Sequence, residues 1–107
     1  MTLGEYQEKA MRTCALKDSK KQLDNAVLGL AGEAGEVADL YKKVVYHSHP
    51  FDKTAFCKEI GDILWYCALA AQSIGISLDE VADVNIKKLE KRYPNGFNPK
   101  DSINRNV

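Results

Sequence analysis

Two short stretches of this sequence decide its fold: residues 29–40 read GLAGEAGEVADL, and residues 58–66 read KEIGDILWY. Each stretch carries two carboxylates three residues apart, and these are Glu33, Glu36, Glu59 and Asp62. Residues at i and i+3 lie on the same side of an α-helix. If the two helices pack together, the four carboxylates face one another and raise each other's pKa unless a cation neutralises them. The pattern therefore predicts a divalent metal site between two helices.

The composition is that of one small globular domain. The chain has 107 residues, and its 15 basic and 15 acidic side chains give a formal net charge of zero. A domain that binds nucleic acid would show a basic excess, so we expect no nucleic-acid polymer as a partner. The chain start lacks the apolar region of a signal peptide, and the most apolar run, residues 60–76, is too short and too polar at its start to cross a bilayer. Three cysteines without metal-ligand spacing are typical of a reducing compartment, so we expect a cytoplasmic protein with no membrane partner.

Apolar residues recur at helical spacing along most of the chain, and no stretch alternates as a β-strand does. The pattern predicts an all-α fold, a bundle of four to five helices. We expect helices from about Thr2 to Lys17, from about Gln22 to Tyr46, from Asp52 or Lys53 to Ser73, and from a capping box at Ser77 to a stop at Tyr93. Residues 1–97 are predicted to form the helical domain, and residues 98–107 a polar tail.

The second predicted helix contains three glycines, Gly29, Gly32 and Gly35. Each glycine costs about 1 kcal/mol relative to alanine in a helix interior. This cost indicates that another helix or a ligand comes close to the backbone. Glu33 falls within the apolar stripe of the same helix, where an unpaired charge is also unfavourable. Both features favour a functional role for this face of the helix.

The predicted metal site has only oxygen ligands. A single Glu-x-x-Glu pair is more often a solvated helix face, but two pairs on apolar helices favour a metal site. Carboxylates without histidine favour Mg²⁺ or Mn²⁺ over zinc or iron, and Mg²⁺ completes its coordination with water and substrate phosphates. His47 and His49 form a His-x-His pattern beside Pro50, which we interpret as a loop without metal because further ligands are lacking nearby.

One face of the fourth predicted helix carries cations. Its residues at i, i+3 and i+7 are Asn85, Lys88 and Arg92, and Tyr93 follows directly. Lysine and arginine on one face can bind phosphate oxygens, arginine in a bidentate manner. From the spacing alone, a solvated charged face is an equally good interpretation. Trp65 and Tyr66 are expected to be core residues, although one of them on a pocket wall would stack on a nucleotide base.

The sequence blocks resemble a known family. They comprise the two stretches quoted above and a third, residues 85–97, which read NIKKLEKRYPNGF. From about Leu23 to Phe97 the chain is similar to the MazG-like nucleotide pyrophosphohydrolases. The resemblance implies the all-α NTP pyrophosphatase fold, assembled as a homodimer or a homotetramer. A neighbouring subunit is expected to complete the site, since four helices make a thin wall around a triphosphate.

The resemblance also implies a reaction and the residues that perform it. The reaction is hydrolysis of a nucleoside triphosphate, or its deoxy form, to the monophosphate and pyrophosphate, as in house-cleaning of non-canonical nucleotides. In the family pattern the Mg²⁺ ligands are Glu33, Glu36, Glu59 and Asp62, and Glu36 or Glu59 is the candidate catalytic base. The substrate-binding residues that the pattern implies are Asn85, Lys88, Arg92 and Tyr93.

Two alternatives to this function remain at the level of sequence. The first is a catalytically inactive helical protein that keeps the scaffold and serves as a nucleotide-binding or interaction protein. The complete set of four carboxylates argues against it. The second is a related pyrophosphatase acting on dUTP or on phosphoribosyl-ATP. The ending of the fourth helix, Arg92-Tyr93-Pro94, is more similar to the MazG group.

Overall fold

A computed structural model describes residues 1–105, in which five α-helices form and no strand does. The helices are α1 (Leu3–Met11), α2 (Ser19–Tyr46), α3 (Lys53–Ser73), α4 (Leu78–Arg92) and α5 (Pro99–Ile103). The predicted all-α fold is confirmed. α5 forms within the stretch predicted as a polar tail, and the last two residues of that stretch, 106 and 107, lie outside the described residues.

The first four helices each begin at a side chain that accepts a hydrogen bond from the backbone of the first turn. These N-caps are Thr2, Asp18, Asp52 and Ser77. The Asp18 carboxylate accepts from the Lys21 N–H at 2.9 Å. Such a cap stabilises a helix by about 1 kcal/mol. α2 therefore begins at Ser19, three residues before the predicted start.

α1 is shorter than predicted and ends at Met11. The Thr13 hydroxyl donates to the Ala10 carbonyl at 2.7 Å, and a side chain that bonds locally in this way competes with the helical pattern. The Cys14 N–H then donates to the carbonyl three residues back, at Met11, and the chain leaves the helix. Cys14 is nevertheless buried. Its spacing predicted its burial correctly and its helical conformation wrongly.

α2 and α3 pack side by side and run antiparallel. Near one end the ring of Tyr66 lies against Gly29, and a Cβ atom there would overlap the ring. Near the other end Val44 and Ala55 line one cavity. The predicted close approach to the α2 backbone is thus confirmed at Gly29. At the two later glycines of α2, no part of another described helix lies within 4 Å of where a Cβ atom would stand.

A buried polar side chain, Gln7, joins α1 to the α3–α4 turn. Its Oε1 accepts from the Leu78 N–H at 2.7 Å, and its Nε2 donates to the Ile76 carbonyl at 3.1 Å and to the Gln72 Oε1 at 3.0 Å. The turn itself passes through Gly75, whose φ of 76° favours glycine. These bonds fix the direction in which α4 leaves the core.

α4 turns away from α3 at 98°. The radius of gyration is 16.8 Å, whereas a compact chain of this length has about 13 Å. Apolar residues are accordingly exposed, among them Val27 on α2 (58% exposed) and Val84 on α4 (64%). Within residues 1–105 no single helix is long and apolar enough to cross a membrane, although the bent pair α3–α4 would satisfy those criteria by length and composition.

Candidate metal centre

Three of the four predicted carboxylates meet between α2 and α3. Glu33 on α2 and Glu59 and Asp62 on α3 each offer one oxygen atom, and the three oxygens lie within 4.8 Å of one another. Oxygens bound to one Mg²⁺ or Ca²⁺ at 2.0–2.6 Å stand at most about 4 to 5 Å apart across the ion. The three side chains are therefore spaced for one hard cation.

The fourth carboxylate, Glu36, lies outside this group of three but acts on it electrostatically. Partial burial raises the pKa of the Glu33 carboxyl, and the charges of Asp62, Glu59 and Glu36 raise it further. The direction of this pKa shift follows from desolvation of the carboxylate and from the like charges held beside it. A divalent cation at this position would relieve the repulsion.

We call Glu33, Glu59 and Asp62 the acid cluster. Its charge and donor atoms fit Mg²⁺ or Mn²⁺. The ion pairs seen in the described part of the chain join lysines to Asp24 and Asp39, and none of them involves the three clustered carboxylates. The donor atoms are all carboxylate oxygens, which hard divalent cations prefer. By contrast, hydrogen bonds from Lys43 and Lys42 lower the pKa of the Asp39 carboxyl. Asp39 is thus already neutralised by protein cations.

The acid cluster separates two cavities. The aromatic cavity, about 330 Å³, is lined by Glu33, Asp62, Trp65 and Tyr66. The loop cavity, about 440 Å³, lies toward the α2–α3 connection and has Glu36 and Glu59 among its lining residues. A ligand bound at the acids can therefore extend in two directions.

Trp65 and Tyr66 combine a packing role with a place on the cavity wall. Their rings meet edge to face, with centroids 5.0 Å apart. The Trp65 indole N–H donates to the Thr13 hydroxyl at 2.8 Å and to the Ala10 carbonyl at 3.2 Å. Both residues pack against the core, as predicted, and both also line the aromatic cavity.

The predicted substrate-binding residues of α4 lie apart from the acid cluster. Asn85 and Lys88 line a groove on α4 itself, Arg92 lines a cleft between α4 and α5, and the Tyr93 ring packs 5.3 Å from that of Phe97. The aromatic cavity and the loop cavity are lined by residues of α2, α3 and their connection. One chain does not bring the two predicted sets together, and the roles of the α4 residues stay predictions.

Comparison with known proteins shows the family to which the chain belongs. The family model of the MazG nucleotide pyrophosphohydrolase domain matches residues 21–97. The chain belongs to the MazG nucleotide pyrophosphohydrolase family. This MazG chain is also 32% identical, over 83 residues, to the Gene 37 protein of Mycobacterium phage L5, a match that covers 74% of the chain and 73% of the phage protein. No solved structure matches the chain at a significant level.

MazG proteins are in general hydrolases of nucleotide pyrophosphates that depend on divalent metal ions. The matched region holds both carboxylate pairs and the predicted substrate-binding residues of α4. It leaves out α1 and α5. The acid cluster described above therefore lies in the part of the chain that defines the family, and a nucleotide is the implied substrate.

Beyond the acids, Lys43 and His49 also line the loop cavity. From the sequence, Lys42 and Lys43 lie about two turns after Glu36, where they could reach a phosphate, but a solvated charge was the stronger interpretation. The pattern around His49 predicted only a loop without metal and not a place in this cavity. The place of His49 depends on the backbone of Ser48, whose φ is 58°. The sequence carries no local signal for that conformation, since left-handed residues are usually glycine or asparagine.

Proposed function

We propose that this MazG protein is a divalent-metal-dependent nucleoside triphosphate pyrophosphohydrolase, which converts an NTP or dNTP to the monophosphate and pyrophosphate. The observation that supports the proposal is the convergence of Glu33, Glu59 and Asp62 within 4.8 Å, from two helices of a MazG domain. Removal of non-canonical nucleotides from the cellular pool is the biological role we propose for it.

The metal in this proposal is Mg²⁺ or Mn²⁺. Glu33, Glu59 and Asp62 would hold the ion, with Glu36 completing the set of ligands from its position among the same charges. When bound, the ion supplies charge neutralisation at the phosphate oxygens and a lower pKa for a bound water. The carboxylates would keep such an ion between α2 and α3, next to both cavities.

The chain's own residues orient the water and accept its proton. The water oxygen forms a bond to the α-phosphorus, and the bond from that phosphorus to the oxygen bridging it to the β-phosphorus breaks. The electron pair of the broken bond leaves on pyrophosphate. The proton of the water passes to a carboxylate, and we propose Glu36 or Glu59 for this role, since both border the loop cavity. Positioning and electrostatics carry most of such chemistry.

A second copy of the chain would complete the site. The monomer is open, with α4 standing away from the core and apolar residues such as Val27 and Val84 exposed. Burial of such faces is a common reason for homo-oligomers to form. We propose a homodimer or homotetramer in which the predicted substrate-binding residues, on α4 and directly after it, reach the acid cluster of a neighbouring chain. These residues are Asn85, Lys88, Arg92 and Tyr93.

The test is release of pyrophosphate and nucleoside monophosphate from a panel of NTPs and dNTPs, with Mg²⁺, with Mn²⁺ and with a chelator. We expect equal amounts of the two products, loss of the reaction with the chelator, and a rate at least about 100-fold lower in Glu59→Gln. Asp24→Asn, which neutralises an exposed acid outside the cluster, should keep the wild-type rate. If no nucleotide yields pyrophosphate, the chain is a nucleotide-binding or interaction protein instead.

A further inference from the structure

The two cavities beside the acid cluster differ in chemistry. Among the described residues, the aromatic cavity is lined by two acids and two aromatic rings. The loop cavity is lined by Lys43 and His49 in addition to carboxylates and apolar residues. A nucleoside triphosphate has the same two parts, since an aromatic base stands at one end and an anionic tail at the other. The Lys43 ammonium and the His49 imidazole both carry N–H donors for phosphate oxygens, so they mark the loop cavity as the side for the anionic tail.

The backbone holds His49 beside Lys43. The Lys43 carbonyl accepts hydrogen bonds from two loop N–H groups, that of His47 at 3.0 Å and that of His49 at 3.1 Å. Between them Ser48 adopts a φ of 58°, a conformation that is unfavourable for residues other than glycine. The connection thereby folds back onto the last turn of α2, and His49 enters the cavity that Lys43 lines.

The carboxylates of the loop cavity divide into two kinds. Asp39 accepts ion-pair contacts from Lys42 at 3.3 Å and Lys43 at 3.0 Å. The Asp52 carboxylate is the N-cap of α3 and accepts hydrogen bonds from two backbone N–H groups of its first turn. The remaining acids, Glu36 and Glu59, belong to the proposed metal set. With a cation at that set, the chemistry left for a ligand in this cavity is that of Lys43 and His49.

The Lys43 ammonium points back along α2 toward the acids. Its Nζ lies 3.0 Å from the Asp39 Oδ2, which is one turn closer to Glu36. Asp39 lies three residues, or about one helical turn, after Glu36 on α2. The ammonium beside Asp39 therefore stands about one turn from Glu36, which borders the cavity. The Lys43 side chain is still 45% exposed, so its ammonium can exchange Asp39 for a phosphate oxygen.

We infer that Lys43 and His49 bind the β- and γ-phosphates of the substrate and hold the pyrophosphate product. This inference rests on the proposed function and assigns two residues of the loop cavity to the triphosphate tail of the substrate. A nucleoside diphosphate would leave the outer part of the loop cavity unused and is expected to bind less tightly.

The variants Lys43→Met and His49→Gln test the inference, each with a matched control in its neighbour. Lys42→Met also removes an ion pair to Asp39, and His47→Gln also removes a loop histidine, but neither control residue lines the cavity. The primary measurement is calorimetric titration with pyrophosphate in the presence of Mg²⁺, which requires no turnover. We expect Lys43→Met to weaken pyrophosphate binding about 10-fold or more, since hydrogen bonds to charged groups contribute most.

The kinetic measurements separate this inference from the proposed function. Lys43→Met and His49→Gln should raise KM for the triphosphate and weaken product inhibition by pyrophosphate, while both controls stay within about 2-fold of wild type. Lys43→Arg, which keeps the charge, should restore most of the binding. If wild type releases pyrophosphate from NTPs but the two variants bind pyrophosphate as it does, this inference fails and the proposed function stands. If wild type binds no pyrophosphate with Mg²⁺, the inference fails outright.

Discussion

The ring of Tyr66 lies so close to the backbone of Gly29 that a Cβ atom at residue 29 would overlap it. Gly29 is one helical turn from Glu33 on α2, and Tyr66 is one turn from Asp62 on α3. The contact therefore sets the distance between the two helices next to the acids that they carry.

Gly29→Ala should destabilise the protein. Alanine has the higher helix propensity by about 1 kcal/mol, but overlap with a packed ring typically costs about 1 to 3 kcal/mol, so we expect a net loss. Gly32→Ala is the matched control, because it lies in the same helix and, among the described residues, its added Cβ atom has only its chain neighbours and the local helix backbone within 4 Å. It should be neutral or stabilising by up to about 1 kcal/mol. Urea denaturation measures both, and equal stability of the two variants would contradict the role of the contact.

The stability of the metal-free protein should fall as pH rises. The folded-state pKa of Glu33 is raised above its ordinary value of 4.5, so the folded chain binds this proton more tightly than the unfolded chain. The resulting stability is complete below 4.5 and is lost as pH rises through the folded-state pKa. Thermal denaturation with a chelator measures this, and Glu33→Gln should reduce the loss of Tm between about pH 4.5 and pH 7.5. Added Mg²⁺ should raise the wild-type Tm more at the higher pH.

The pKa of Asp39 is shifted in the opposite direction to that of Glu33. Hydrogen bonds from Lys43 and Lys42 lower its pKa below the ordinary 3.8, so its stabilising effect is present above that value and is lost as pH falls. Asp39→Asn should therefore lose less Tm toward acid pH than wild type does, because the variant has no carboxylate to protonate. A protein in which Glu33→Gln and Asp39→Asn changed the pH profile identically would contradict both assignments.

Gln7→Leu should cost about 1 to 3 kcal/mol of unfolding free energy, the usual effect of leaving a buried polar group without its partner. Gln7 is the partner of the Leu78 N–H and the Ile76 carbonyl at the α3–α4 turn, and a leucine of similar size fills the space without bonding to either. Chemical denaturation gives the magnitude. The neighbouring change Glu8→Gln, at an exposed position of α1, should leave the stability within about 0.5 kcal/mol of wild type.

Val84→Asp should convert the proposed oligomer to monomers. Val84 is 64% exposed in the single chain, so the change leaves the fold of the monomer intact while it places a charge in the proposed subunit interface. Lys87→Gln, on the same helix, changes the net charge by the same amount and should leave the assembly unchanged. Light scattering reports the mass. A wild-type protein that is monomeric and fully active would refute the shared site.

Much of the fold could be predicted because its signals are local. α3 was predicted from Asp52 or Lys53 to Ser73, and it is observed from Lys53 to Ser73. The N-caps at Ser77 and Thr2 were also recognised, since each bonds to a backbone N–H three residues away. The direction of α4 could not be predicted, because it depends on bonds from Gln7 across more than 60 residues of sequence.

The candidate site was predicted in part for the same reason. Spacing along each helix places its two acids on one side, but which acids share an ion depends on how α2 and α3 are rotated against each other. The structure groups Glu33 with Glu59 and Asp62 and leaves Glu36 beside them. The place of His49 in the loop cavity could not be predicted, because it follows from one left-handed residue, Ser48, in the α2–α3 connection.

Trp65 is the sole tryptophan of the chain, and it lines the aromatic cavity together with Glu33 and Asp62. The tryptophan fluorescence of the protein consequently arises from one indole next to the acid cluster, with no second indole to subtract. Filling of the cavity by a nucleotide base or a change in charge at the acids alters the surroundings of that indole. The unlabelled protein thus carries its own optical probe for titrations with metal and nucleotide.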